Sequence, residues 1–154
     1  MSGAAERLAA LGLTLPPVTA PVAAYVPAVR TGMYVYTSGQ LPTVDGKLPA
    51  VGKVGDEVSA QDAAGMARTC ALNAIAAAAS AAGGLDAIRR IVKVTGFVAS
   101  APGFGGQAQV INGASELLIE VFGEDGKHSR SAIGVAELPL NAPVEVELIA
   151  EVRD

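Results

Sequence analysis

The chain has one cysteine, one histidine, no tryptophan and only 4% aromatic residues. A single cysteine excludes an intrachain disulfide and a cysteine-based zinc site, and a single histidine argues against a multi-histidine metal centre. We therefore expect no metal. Basic residues are in the minority: 11 Lys and Arg stand against 15 Asp and Glu, a formal net charge of −4. A nucleic-acid binder generally carries a basic footprint, and this chain as a whole does not. Long apolar runs are also missing, despite a mean hydropathy of +0.41. The uncharged stretch 8–29 is broken by Pro16, Pro17, Pro21 and Pro27, and the stretch 69–85 is mostly alanine and ends in Gly83-Gly84. Neither supplies the roughly 20 strongly apolar residues of a membrane span. Residues 1–11 carry Glu6 and Arg7 and do not read as a signal peptide. The expectation is a cytoplasmic protein without a membrane partner.

What the chain does contain is hydrophobic residues, 51% of 154, many of them alanine, with 17% charged. That balance excludes intrinsic disorder and suits one folded domain. A short helix is expected over 4–11, stopped by Leu15-Pro16-Pro17, followed by an extended lead-in over 17–24. Strands are expected over 25–30 and 33–38, joined by Thr31-Gly32, with a hairpin-type turn at Asp45-Gly46. Residues 59–82 form the clearest helix. Ser59 and Asp62 resemble a capping box, and Gly83-Gly84 supplies the stop. Met66, Cys70, Leu72 and Ile75 are its larger core candidates, and Cys70 reads as a small buried hydrophobe. A helical turn over 85–90, a strand over 91–99 and a second long helix over 107–122 follow, the last with Val110, Leu117, Leu118 and Val121 at helical spacing. Strands over 129–138 and 144–152 complete the order ββαβαββ, which implies a mixed sheet with helices on one face.

The last two strands hold the informative residues. Alternation places Val144, Val146, Leu148 and Ala150 on one face and Glu145, Glu147, Ile149 and Glu151 on the other. His128, Arg130 and Ala132 likewise share a face. If the two strands are neighbours, Arg130 and Glu145 both project from the face without helices. An arginine there grips a carboxylate bidentately, and a nearby carboxylate activates water. The same two residues on adjacent strands also make an ordinary cross-strand ion pair. His128 reads either as a cleft residue that shifts the pH dependence or as a strand-start surface residue.

The run from Ser129 to Pro139 (SRSAIGVAELP), followed by Val144-Glu145-Val146-Glu147, resembles the C-terminal signature of the RidA (YjgF/YER057c/UK114) family. Ser38-Gly39-Gln40-Leu41-Pro42 is similar to a second motif of that family, and Lys93 to Val98 is similar to its central strand. The resemblance implies a chorismate-mutase-like α+β fold with two helices packed on one face of the sheet. It also implies a homotrimer whose sheets form a central barrel, with active sites in clefts between subunits. The implied activity is hydrolysis of reactive enamines and imines, giving 2-keto acids and ammonia without a cofactor. Residue by residue, Arg130 matches the arginine that binds the substrate carboxylate, and Glu145 the carboxylate that handles water or the leaving nitrogen. Tyr25, Ser38 and Asn112 match residues at or near the cleft. Each also has a purely structural reading: Tyr25 as an interface filler, Ser38 as a turn former, Asn112 as a helix-to-loop hydrogen bond. Many family members have cysteine where this chain has Ala132, so only the backbone there is left to meet substrate. Residues 1–20 form an N-terminal extension with a short helix, and residues 21–154 the RidA-like domain. Rival readings are a non-catalytic module that binds small carboxylates such as 2-keto acids, a protein-interaction role, and an endoribonuclease. Net charge −4 and three Phe with three Tyr argue against the last.

Overall fold

The computed structural model describes residues 2–18, 21 and 23–154. Its regular elements are α1 (Ala4–Ala10), β1 (Ala28–Thr31), β2 (Tyr34–Thr37), α2 (Ala60–Ala82), β3 (Ile88–Ala99), α3 (Gln107–Phe122), β4 (Ser129–Val135) and β5 (Val144–Val152). The five strands form one sheet in the order β1-β2-β5-β3-β4. Only β3 and β4 run parallel, with α3 as their crossover; the other neighbours are antiparallel. This is the expected α+β, ββαβαββ architecture. Part of the expected lead-in over 17–24 lies outside the described residues. Among the described residues, no helix is long and apolar enough to cross a membrane.

Local chemistry sets the element ends. The Ser59 hydroxyl accepts from the Asp62 amide at 3.1 Å, and Gly83 closes α2 at φ 96° in the left-handed region. Asp45 (φ 52°) and Gly46 (φ 77°) form the tight turn between Val44 and Lys47, whose amides and carbonyls pair in both directions. Several boundaries depart from expectation. The first helix ends at Ala10, and Gly12, φ 73°, turns the chain away before the prolines are reached. The first strand opens after Pro27, not at Tyr25, because a proline has no amide to give the ladder. The turn at Leu85–Ala87 is a single 3-10 turn, so β3 begins at Ile88. The fourth strand stops at Val135, where its pairing with Ala99 ends.

The core lies between the sheet and the α2–α3 pair. From α2 come Ala63, Ala67, Ala71 and Ala74 with Cys70 and Ile75; α3 adds Val110, Ile111, Leu117 and Leu118; β5 adds Val144, Val146 and Ala150. Leu72, expected in the core, is only partly buried against it. Alanine keeps α2 slim, and α3 approaches it so closely that a Cβ at Gly113 would collide with the Ala64 carbonyl. The N-terminal helix packs against α3. Its Leu8 is buried, and its Ala5 amide donates to the Asp86 carboxylate at 3.1 Å.

Gly113→Ala tests the helix contact. The alanine improves helix propensity by about 1 kcal/mol, while overpacking against rigid backbone costs about 3 kcal/mol. The net loss of about 2 kcal/mol corresponds to a Tm about 4–8 °C lower by calorimetry. An unchanged or raised Tm would show that the helices have room to part.

Candidate functional site

The candidate residues fall into two groups on opposite sides of the sheet. Arg130 of β4 is in register with Val94 of β3, which is in register with Leu148 of β5; all three point toward the helices. Glu145 is in register with Phe97, and through it with Ile133, on the open face. The expected shared face is therefore wrong. The fourth and fifth strands are not neighbours, because β3 runs between them, and the intervening register puts the two side chains on opposite faces. The ion pair falls with it: no salt bridge joins Arg130 to Glu145.

The first group is built on β4 and α3. Positions 108, 112 and 115 recur at helical spacing along one stripe of α3, and Arg130 reaches across to that stripe. Its Nη1 donates to Asn112 Oδ1 at 2.8 Å and to Ser115 Oγ at 3.2 Å; its Nη2 donates to the Ala108 carbonyl at 3.3 Å. A guanidinium has five N–H groups. The Nε–H and one Nη2 hydrogen remain without a partner among the described residues. Asn112 is thus neither a helix-to-loop bond nor a free polar group; it helps aim the guanidinium. His128 is not a surface residue. It is half-buried, with Nε2 2.9 Å from Ser115 Oγ and Nδ1 2.6 Å from the Gly126 carbonyl. Burial pushes its pKa below the usual 6.5, and the Arg130 charge pushes the same way against the Gly126 hydrogen bond. Ala132 follows on the same face as Arg130, partly buried against the core.

The second group surrounds Glu145. Gln40 and Val146 exchange amide–carbonyl bonds of 2.8 and 3.0 Å, which locks the 38–41 segment beside β5. A Cβ at Gly39 would collide with the Glu145 carboxylate, so the glycine provides the clearance for it. Glu145 is half-buried and forms no hydrogen bond or ion pair among the described residues. Burial, and then the Glu147 charge, raise its pKa above the usual 4.5. Ser38 donates from Oγ to the Val26 carbonyl at 2.6 Å and from its amide to Pro27 at 2.8 Å, so it does shape the turn. Tyr25, one residue before Val26, is 59% exposed. Cys70 is fully buried, its thiol donating toward the Val144 carbonyl at 3.8 Å, with a pKa pushed well up by burial.

Two contributors escaped the sequence reading. Ser115 sits three residues beyond Asn112 on one helix stripe, a spacing that marked it as soon as Asn112 was in view. The row Glu145–Phe97–Ile133, with Ile133 44% exposed, follows from alternation only once the strand order is known.

His128 is the only histidine, so its titration by NMR needs no assignment. We expect the Nδ1–H tautomer and a midpoint below 6.5. A depressed folded pKa means that the fold loses stability as pH falls from the ordinary value toward the folded one. An Nε2–H tautomer, or a midpoint at or above 6.5, contradicts this geometry.

Residues 5–152 match the family described as "YjgF/chorismate mutase-like, putative endoribonuclease". Protein TCP17 of Trypanosoma cruzi is 42% identical over 151 residues, covering 97% of this chain and 94% of that protein. A crystal structure described as a putative endoribonuclease from Shewanella oneidensis superposes with TM-score 0.93 at 36% identity, covering 98% of this chain and 100% of that one. A more distant structure, TdcF of E. coli with bound serine, has TM-score 0.63 and 29% identity, covering 88% and 92%. With a family match spanning nearly its whole length and the RidA motifs in place, the chain belongs to the YjgF (RidA) family.

Proposed function

We propose that the protein is a 2-imino acid deaminase, working in clefts that pair the Arg130 group of one subunit with the Glu145 group of the next in a homotrimer. The observation that carries this reading is the guanidinium itself. Asn112, Ser115 and the Ala108 carbonyl hold three of its five hydrogens, and two remain for a ligand. Two adjacent N–H donors are what a carboxylate takes bidentately. TdcF with bound serine supports a small molecule bearing a carboxylate. The separation of the two groups supports a shared cleft: a head-to-tail contact between unlike surfaces closes into a ring when its rotation permits.

Arg130 grips the carboxylate and fixes the C=N carbon in place. The Glu145 carboxylate takes a proton from water as the oxygen adds to that carbon and passes it to the imine nitrogen, giving the neutral carbinolamine. In the carbinolamine, Glu145 takes the hydroxyl proton and delivers it to nitrogen as the C–N bond breaks, so that the ketone forms, ammonia leaves and the carboxylate is regenerated. The products are a 2-keto acid and ammonia. General acid–base help of this kind is worth about 10²–10⁴-fold, which suffices for an imine that already hydrolyses unaided. A half-buried Glu145 of raised pKa is a better proton acceptor and donor near neutrality than an ordinary carboxylate. The backbone at Ala132, together with Tyr25 and Ser38, lines the cleft. Residues 21–154 carry both groups, and the extension over 1–20 braces α3 through α1. The lone buried thiol suits a reducing compartment, and we assign the activity to the cytoplasm.

The test is an amino-acid oxidase that generates imines, with semicarbazide trapping what escapes hydrolysis. Wild type lowers trapping; Arg130→Ala and Glu145→Gln alone do not. Co-expressed, the two variants recover about a quarter of wild-type activity, as random mixing of subunits with shared sites requires. No recovery would place the site within one chain. Wild-type failure on every imine, with 2-keto acid binding intact, would leave a carboxylate-binding module instead. The wild-type rate falls as acid protonates Glu145, through a midpoint above 4.5.

A further inference from the structure

We infer that Ser115 and His128 are positioning residues for Arg130, a proton-ordered relay that turns the free edge of the guanidinium toward the bound carboxylate. The inference rests on the reading of Arg130 as the carboxylate-binding group, and it adds to that reading the device that orients it.

The protons can be placed by elimination. A carbonyl oxygen only accepts, so the 2.6 Å contact to Gly126 requires a hydrogen on His128 Nδ1. In the neutral ring Nε2 then has only a lone pair. Ser115 Oγ, 2.9 Å away, must donate its single hydrogen to it. The hydroxyl is thereby left with lone pairs alone on its other side, and there Arg130 Nη1 donates at 3.2 Å. Gly126 orders His128, His128 orders Ser115, and Ser115 receives the guanidinium. Asn112 holds the same Nη1, so the two α3 side chains together occupy both of its hydrogens. Nothing is left on that nitrogen to compete for substrate.

The relay works with one charge state of the ring. An imidazolium donates from Nε2 as well. Ser115 Oγ would then take hydrogens from two cations at once, and its own hydrogen would lose its acceptor. The groups around the ring give that charge no support. The third helix presents the Ser115 hydroxyl, the turn before β4 presents the Gly126 carbonyl, and β4 presents Arg130 itself. Lys127 is turned to Glu124 at 2.9 Å, and Arg90 of β3 donates to the Lys127 carbonyl at 3.4 Å. Protonating His128 should therefore loosen Arg130 from its orientation, leaving only its bonds to Asn112 and the Ala108 carbonyl.

The experiment measures binding of 2-oxobutanoate by calorimetry and imine turnover by trapping, for wild type and five variants. Ser115→Ala and His128→Ala should weaken the Kd about tenfold and raise KM alike, with kcat within about twofold, the signature of lost uniform binding. Ser115→Thr restores the hydroxyl, and His128→Gln restores an acceptor that does not ionise; both should recover wild-type Kd. On acidification, wild-type Kd should worsen through the His128 midpoint seen by NMR, and that component should vanish in His128→Gln while the Glu145 titration persists. The inference is overturned if Arg130→Ala abolishes binding but both alanine variants bind like wild type. It is equally overturned if the conservative variants fail as badly as the alanines, which would mean packing alone. If Arg130→Ala itself binds and turns over normally, the underlying reading of the site fails, a result that none of the other outcomes resembles.

Discussion

The pairing of β3 with two partners of opposite direction governs the rest of the molecule. It runs antiparallel to β5 and parallel to β4. A parallel neighbour requires a crossover, and here the crossover is α3. Because α3 must return over the sheet to start β4, it lies directly above the side chains that β4 sends to that face. Arg130 meets Asn112 and Ser115 for this reason. The same strand keeps Arg130 and Glu145 apart. One topological choice thus creates the oriented guanidinium and denies it the carboxylate from its own chain.

The open face of the sheet shows the complementary side of that choice. Tyr34, Tyr36, Ile133 and Val29 are each more than 40% exposed there or along its margin. Glu145 and Glu147 lie among them without an ion partner among the described residues, and the Glu147 charge adds to burial in discouraging the ionisation of Glu145. The buried face has no such tension. Its one buried polar side chain among the described residues, Thr37, is satisfied by donation from the Leu148 amide at 3.0 Å. The fold is therefore settled on one face and chemically incomplete on the other, a division that suits a sheet meeting further copies of itself.

Much of this was legible from residues alone. Ser59 and Gly83 announced both ends of α2, Asp45-Gly46 announced its turn, and the valines of β5 alternated as a half-buried strand must. Boundaries failed where two signals competed: Gly12 stopped α1 before the prolines did, and Pro27 trimmed β1. The candidate site was legible as a set of residues and illegible as an arrangement. Alternation says which residues of one strand share a face, but it says nothing of which strands are neighbours. Succession in sequence suggests that β4 and β5 pair, whereas β3 lies between them and sets Arg130 and Glu145 on opposite faces. The setting of His128 is hidden for a similar reason, since its partner Ser115 comes from a helix and not from the strand beside it.

The alanines of α2 have a consequence beyond geometry. Ala63, Ala67, Ala71, Ala74 and Ala78 are all fully buried, and an alanine surrenders no rotamers when it is buried. The helix is thus ordered at low side-chain entropy, with its cohesion coming from backbones brought close. Such a surface has little freedom to vary. Almost every substitution there adds volume to a gap that has none, and a cavity-filling change has nowhere to act. The sequence along this helix can drift on its outer stripe, while the inner one is held to the smallest side chains available.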